Sequence, residues 1–177
     1  MSKIIRIDTL HTGDRHSCAA NGDGIRIVVW WNYCDIHCPG CHNRQYWNYD
    51  NNDFEDFSEK HIELVVEETH KYENIYKGVS ILGGEPFSVK NIDDVIVFCE
   101  RYKDQCPDKD IWIWSGHTYE WLKSQTGKYG DDVKKLFSLC DFLVDGQFIL
   151  ERRNISLKFR GSDNQRIIDL KNEKVIS

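Results

Sequence analysis

"IRIVVWWNYCDIHCPGC", residues 25–41, joins a strand-like run to three thiols. Its first seven residues are apolar except for Arg26 and rich in β-branched and aromatic side chains, the composition of a buried strand. Cys34, Cys38 and Cys41 begin three residues later, so the spacing places them in the loop that leaves the strand's C-terminal end.

Working outward, the same pairing of apolar run and glycine-rich or polar exit recurs. "GVSIL" (78–82) stops at Gly83 and Gly84, "IWIW" (111–114) at Ser115 and Gly116, and "DFLVD" (141–145) at Gly146. A shorter strand is expected at residues 4–7, followed by a polar stretch with Gly13, Gly22 and Gly24 and, in an unplaced loop, Cys18. Between the strands the period changes to helical. Ser58 is the expected N-cap of a helix to about Tyr72, with Ile62, Val65, Val66 and Thr69 on one side. Asn91 is the expected cap of another, with Ile92, Val95, Ile96 and Cys99 sharing a face. Thr118 opens a short helix with Glu120 and Trp121, and a polar loop around Gly127 and Gly130 leads to "DDVKKLFSLC". Alternation of this kind predicts an α/β fold of parallel strands with helical crossovers, in which chemistry collects at the C-terminal strand ends. Four or five such units are too few for a closed eight-stranded barrel of about 250 residues, so a partial (βα) barrel or open sheet is expected. There is no repeat or linker, and residues 1–177 read as a single domain.

The chain is 40% hydrophobic and 29% charged, with no apolar run long enough to span a bilayer, and its start lacks the features of a secretory signal. A cytoplasmic protein is expected. A net charge of −6 argues against nucleic acid as the default partner. Residues 151–177 run the other way, with seven basic against four acidic side chains, so the first 150 carry −9. That segment reads either as a solvated tail or as a docking face for a partner protein.

Seven cysteines without a signal sequence favour reduced thiols or metal ligands over disulfides. Structural zinc takes four protein ligands and an ordinary [4Fe–4S] cluster four cysteines, so three thiols leave one coordination position open, as catalysis requires. Spacing alone keeps zinc possible, because His37 or His42 would complete such a site. Cys106 and Cys140 precede strands, at the wrong end of the sheet, and Cys99 belongs to an apolar helix stripe. Cys18 alone remains as a candidate fourth ligand, and three cysteine ligands with one open iron are expected.

Cys34-x3-Cys38-x2-Cys41 resembles the cluster motif of the radical S-adenosylmethionine superfamily, and "GGEP" (83–86) its glycine-rich methionine-binding motif. "CPGCHN", "DIWIWSGHTYE", "FLVDGQF" and "SLKFRGSDNQRIIDL" resemble, in sequence and order, the activating proteins of anaerobic (class III) ribonucleoside-triphosphate reductases. The resemblance covers roughly residues 20–170, and "RGSDNQR" (160–166) separates this family from other small radical enzymes.

The resemblance implies a radical-SAM type partial barrel carrying a [4Fe–4S] cluster on Cys34, Cys38 and Cys41. S-adenosylmethionine would occupy the fourth iron through its amino and carboxylate groups. An electron from a donor such as flavodoxin or ferredoxin would split its sulfonium, giving methionine and a 5′-deoxyadenosyl radical. That radical would take a hydrogen atom from a glycine of the large reductase subunit and leave a glycyl radical there. Gly40, Cys41, His42, Gly83, Gly84 and Glu85 are the residues implied to face S-adenosylmethionine. Neither nucleic acid nor membrane is an implied partner. Gly83 and Gly84 lack a Cβ, so backbone can approach the methionine moiety, and the Glu85 carboxylate or nearby carbonyls can accept from its ammonium. A plain strand-to-helix turn would also explain the two glycines. His42 would stack on adenine or else face solvent, and Asp145 and Gly146 would approach the ribose or the target glycine, or simply end a strand. Trp30, Trp31, Trp112 and Trp114 are read as core and His117 as surface. Arg152, Arg153 and Arg160 are expected to help dock the reductase. Two features depart from the family pattern: Tyr33 stands where a small residue, usually Gly, precedes the first cysteine, and residues 123–132 form a longer stretch.

Two other functions fit part of this pattern: activation of a different glycyl radical enzyme, and a non-enzymatic zinc-binding interaction module. The short chain, with no room for extra ferredoxin-like clusters, favours the reductase over the first. "GGEP", which a zinc knuckle has no need of, weighs against the second.

Overall fold

The computed structural model describes residues 1–48 and 54–177. In chain order its elements are β1 (Lys3–Asp8), α1 (Arg15–Ala20), β2 (Ile25–Trp31), β3 (Glu55–Asp56), α2 (Glu59–Lys71), β4 (Tyr76–Gly83), α3 (Ile92–Gln105), β5 (Asp110–Trp114), α4 (Tyr119–Lys123), α5 (Gly127–Leu139), β6 (Phe142–Asp145), β7 (Arg166–Asp169) and β8 (Lys174–Val175), with short 3-10 turns at Arg44–Tyr46 and Leu150–Arg152. The strands form one sheet in the order β3-β1-β2-β4-β5-β6-β7-β8.

Only the central strands β2, β4, β5 and β6 are parallel; β1, β3, β7 and β8 pair antiparallel at the two sides. The four strands of the alternating strand–helix series are thus parallel as expected, and the antiparallel edge strands are an addition to that expectation. Parallel pairing needs a crossover that runs back along the sheet, and α2, α3 and the α4–α5 pair supply the three. The six-residue α1, about 9 Å long, cannot return the chain past β2, and no α-helix lies between β6 and β7.

The alternation along β2 sends Ile27, Val29 and Trp31 into the helical layer, where Trp31 meets Phe57 and Phe98. Each such fully buried side chain stabilises the fold by about 1.5–3 kcal/mol. On the opposite face a smaller cluster gathers Trp112, Val144 and Ile167. Arg26 is fully buried with its guanidinium 5.6 Å from the Trp112 ring centroid, donating to Ser80 Oγ at 2.7 Å and to Val79 O at 2.7 Å, and paired with Asp110. A buried guanidinium is tolerated only with such partners.

Several local expectations need correction. Cys18 lies in α1 rather than a loop, on a helix whose N-cap Asp14 accepts the His16 N–H at 3.0 Å. Gly127 and Gly130 belong to α5 rather than to a loop, and a Cβ on Gly130 would meet Gln125 O at 2.3 Å, so the first turn of the helix packs against the preceding chain at a position where only glycine fits. Asn91 precedes α3, but its side chain makes no cap and goes elsewhere. Trp31 and Trp112 are core as expected, whereas Trp30 and Trp114 are only partly buried. Among the described residues no helix is long and apolar enough to cross a membrane.

Candidate functional site

The parallel strands end together, and their exits enclose a cleft of about 170 Å³. The exit of β2 contributes Cys34, Cys38 and Cys41; that of β4 contributes Gly83, Gly84 and Glu85; β5 ends in Trp114, Ser115 and Gly116; β6 leads into Gly146 and Phe148. Six of the eight residues singled out from the sequence thus share one wall or another of this cleft. Gly40 and His42 do not line it: Gly40 packs against Leu150, and the exposed His42 ring lies 6.3 Å from that of Phe148.

The cysteine loop is pinned to the Gly83–Gly84 turn by backbone. Gly84 N donates to Trp31 O and Glu85 N to Tyr33 O, both at 2.7 Å. A Cβ on Gly84 would stand 1.9 Å from Tyr33 O, and one on Gly83 would stand 2.2 Å from Trp31 O. These glycines are therefore required by the close approach of two chain segments. The loop itself holds two non-glycine residues in the left-handed region, Tyr33 at φ 68° and His37 at φ 53°, which costs about 1–2 kcal/mol each. Tyr33 occupies the position where relatives were expected to carry a small residue, and the positive φ is the physical reason for that preference. The Lys90 ammonium sits 4.4 Å from the Tyr33 ring centroid, and His37 stacks on Trp47 at 4.6 Å.

Asn91, fully buried, donates from Nδ2 to Asn32 O at 2.8 Å and to Glu85 O at 3.0 Å, stitching the start of the cysteine loop to the turn after β4. Glu85 is 1% exposed. Its carboxylate accepts from Phe87 N at 2.9 Å, Ser115 Oγ at 2.9 Å and Gly116 N at 2.8 Å, tying the ends of β4 and β5 together. Burial still dominates over these donors and pushes the carboxyl up to about 7. Asp145 is also buried, but it accepts from Tyr119 N at 2.7 Å, pairs with Arg166 and does not line the cleft. His117 is half-buried rather than on the surface; it stacks on Trp121 at 4.0 Å, and burial lowers its pKa.

Burial raises the Cys34 thiol to about 11 against the pull of the Ile36 and His37 N–H groups, and raises Cys38 as well. Among the described residues no three His, Cys, Asp or Glu side chains are gathered so as to hold a single metal ion. The three thiols of the loop instead border a shared space. The other four cysteines are buried and none lines the cleft.

Sequence reading gave no place at the site to Asn43, Trp47, Phe148 or Gln165 and took Trp114 for core, yet all five line the cleft. Gln165 had a signal, since it lies in "RGSDNQR", but no role followed from it. Of the three arginines expected to dock a partner, Arg152 pairs with Asp163 at 2.5 Å, Arg153 is exposed, and Arg160 donates inward to Gln165 O at 3.1 Å.

Residues 20–168 match the family described as a 4Fe-4S single cluster domain. The chain is 33% identical over 148 residues to the anaerobic ribonucleoside-triphosphate reductase-activating protein of Haemophilus influenzae, an alignment covering 83% of this chain and 89% of that one. To the protein of the same name from Escherichia coli K12 it is 30% identical over 151 residues, covering 85% and 92%. The counterpart from Enterobacteria phage T4 is 30% identical over 151 residues, covering 83% and 85%.

Proposed function

The chain belongs to the family of anaerobic ribonucleoside-triphosphate reductase-activating proteins, and from that premise we propose that it activates such a reductase by generating a glycyl radical on its large subunit. The observation that carries the reading is the convergence of Cys34, Cys38 and Cys41 with the Gly83–Glu85 turn on one cleft at the C-terminal ends of adjacent parallel strands.

The donor set fits a [4Fe–4S] cluster in kind. Three thiols border a common space without converging on a point, as suits a cluster that takes each thiolate at a different iron. A cluster held by Cys34, Cys38 and Cys41 would supply the electron that cleaves S-adenosylmethionine into methionine and the 5′-deoxyadenosyl radical. The protein's own part is to orient and enclose. Gly83 and Gly84 keep the β4 exit against the cysteine loop, Glu85 joins the β4 and β5 walls, and Gly40 and His42 are assigned to the rim that faces the nucleoside. Burial raises the Cys34 and Cys38 thiols, so their binding to iron as thiolates releases protons.

We read the open sheet as the partial (βα) barrel of radical-SAM type, with residues 1–177 forming one domain. A cytoplasmic setting and an electron donor of the flavodoxin or ferredoxin class complete the proposal. Anaerobically prepared protein should be brown, hold about four irons, and form 5′-deoxyadenosine from S-adenosylmethionine only with a reductant. Addition of the large reductase subunit should then yield the electron paramagnetic resonance signal of a glycyl radical. A colourless protein with one tightly bound zinc and no deoxyadenosine would overturn the proposal.

A further inference from the structure

The cleft does not end at Gly116. Ile36 and Gly116 also border a second space, of about 530 Å³, and Ile36 packs so closely there that a Cβ on Gly116 would stand 2.5 Å from its Cδ1. The pair forms a sill between the cleft and a groove that continues from it. The groove's own walls come from Ser88 and Val89, in the chain that follows β4, and from His117, Trp121 and Tyr129. None of these five lines the cleft.

The walls are held in place by the protein itself. Tyr129 Oη donates to Phe87 O at 2.9 Å, which ties the Ser88–Val89 stretch to α5, and its ring meets that of Trp121 at 6.5 Å. His117 is set by its backbone: its N–H donates to Ser115 Oγ at 3.0 Å and its carbonyl accepts from Gly146 N at 3.1 Å. The His117 ring lies against Trp121, and among the described residues neither ring nitrogen has a hydrogen-bond partner. Burial lowers its pKa, so at neutral pH the ring is uncharged and offers one donor and one acceptor. Ser88 is 2% exposed, and its Oγ has no partner either. A buried hydroxyl left unpaired destabilises the chain that carries it. Beside these polar groups, Val89 (69% exposed) and Trp121 (43% exposed) leave large apolar side chains uncovered.

This lining selects its occupant. Asp35 is the one charged side chain among the described residues of the groove, and no lysine or arginine borders it, so it does not suit a nucleotide or another phosphate. Neutral groups that both donate and accept, set among apolar side chains, match the N–H groups, carbonyls and alternating side chains of an extended polypeptide. We propose that the groove holds the segment of the large reductase subunit that carries the target glycine, with His117 and Ser88 bonding its main chain and Val89 and Trp121 covering its side chains, so that the glycine crosses the Ile36–Gly116 sill into the cleft. The inference rests on the proposed activation of that reductase, and its test separates the two.

With the photoreactive residue p-benzoylphenylalanine in place of Val89, irradiation of the cluster-loaded protein with the large subunit should give a crosslink that peptide mass locates within a few residues of the radical-bearing glycine. Titration calorimetry against the same subunit should show Kd raised about thirtyfold by Trp121→Ala, the size of an aromatic anchor, and about fivefold by His117→Ala and by Ser88→Ala, the factor for one net hydrogen bond. Ser88→Ala should at the same time raise the urea midpoint of the free protein, because it removes an unpaired buried hydroxyl; a serine with a purely structural role would lower that midpoint and leave Kd alone. Should Trp121→Ala fail to fold, Val89→Glu, at an exposed position, should weaken binding in its place. If the unaltered protein raises a glycyl radical, yet the crosslink falls on a second copy of this chain or elsewhere on the subunit, or the variants bind as the wild type does, the groove is overturned and the functional reading stands. If the unaltered protein raises no glycyl radical on the large subunit, the functional reading falls and the groove's assignment falls with it.

Discussion

Replacing Glu85 with Gln removes a charge whose cost can be worked out from its surroundings. The carboxyl is 1% exposed and its pKa is raised from an ordinary 4.5 to about 7, because burial outweighs the donors from Phe87, Ser115 and Gly116. That difference corresponds to about 3 kcal/mol of linkage between protonation and folding. Below 4.5 the group is protonated both folded and unfolded, and the contribution is fully present. As the pH rises the unfolded chain releases its proton first, so stability falls through the interval and the loss is complete above about 7. Glutamine does not titrate. Its amide can still accept with Oε1, but Nε2 then confronts the Gly116 N–H, which adds a cost of about 1–3 kcal/mol at every pH. Urea denaturation of iron-free protein should therefore show the wild type losing about 2–3 kcal/mol relative to Glu85→Gln between about pH 5 and about pH 8. Parallel stability curves would show that Glu85 is solvated in the native state, and the argument from its burial would fail.

Gly84→Ala places a methyl group where Tyr33 O lies 1.9 Å away, so it should separate the cysteine loop from the β4 exit and destabilise the protein by about 3 kcal/mol in the same assay; an unchanged urea midpoint would contradict the close approach. Cys18→Ser buries a hydroxyl in α1 and should cost about 1–3 kcal/mol, yet leave the iron content of reconstituted protein intact; loss of a stoichiometric share of iron would make Cys18 a ligand. Cys34→Ser, by contrast, should abolish the brown colour and deoxyadenosine formation, and retention of both would remove Cys34 from the ligand set.

Much of the scaffold was legible because it is written in local patterns. The runs at 25–31, 78–82, 111–114 and 141–145 lie within or against the four parallel strands, and Ser58 and Thr118 immediately precede helices. Asn91 shows where such reading stops. Its position before α3 is that of a cap, but three carbonyl groups nearby offer its amide partners, at Asn32, Tyr33 and Glu85. Gly130 was misplaced because a helix that begins in close contact with Gln125 O selects the residue type that otherwise marks a loop. Gln165 went unassigned because its partners, Gly146, Gly161 and Ser162, meet only after β6 and β7 have paired.

From sequence alone came the cysteine loop at a strand's end, the glycine-rich turn on a later strand and the alternation that makes those strands parallel. Each depends on residues within a few positions of one another, where side-chain period and backbone preference act directly. Tertiary structure alone decided that β4 lies beside β2, that β1 and β7 run antiparallel at its flanks, that Glu85 is buried enough to hold a proton near neutrality, and that residues 160–166 reach back to the loop that follows β6. Those outcomes belong to contacts between distant segments, and desolvation and donor geometry do not exist until the sheet has assembled.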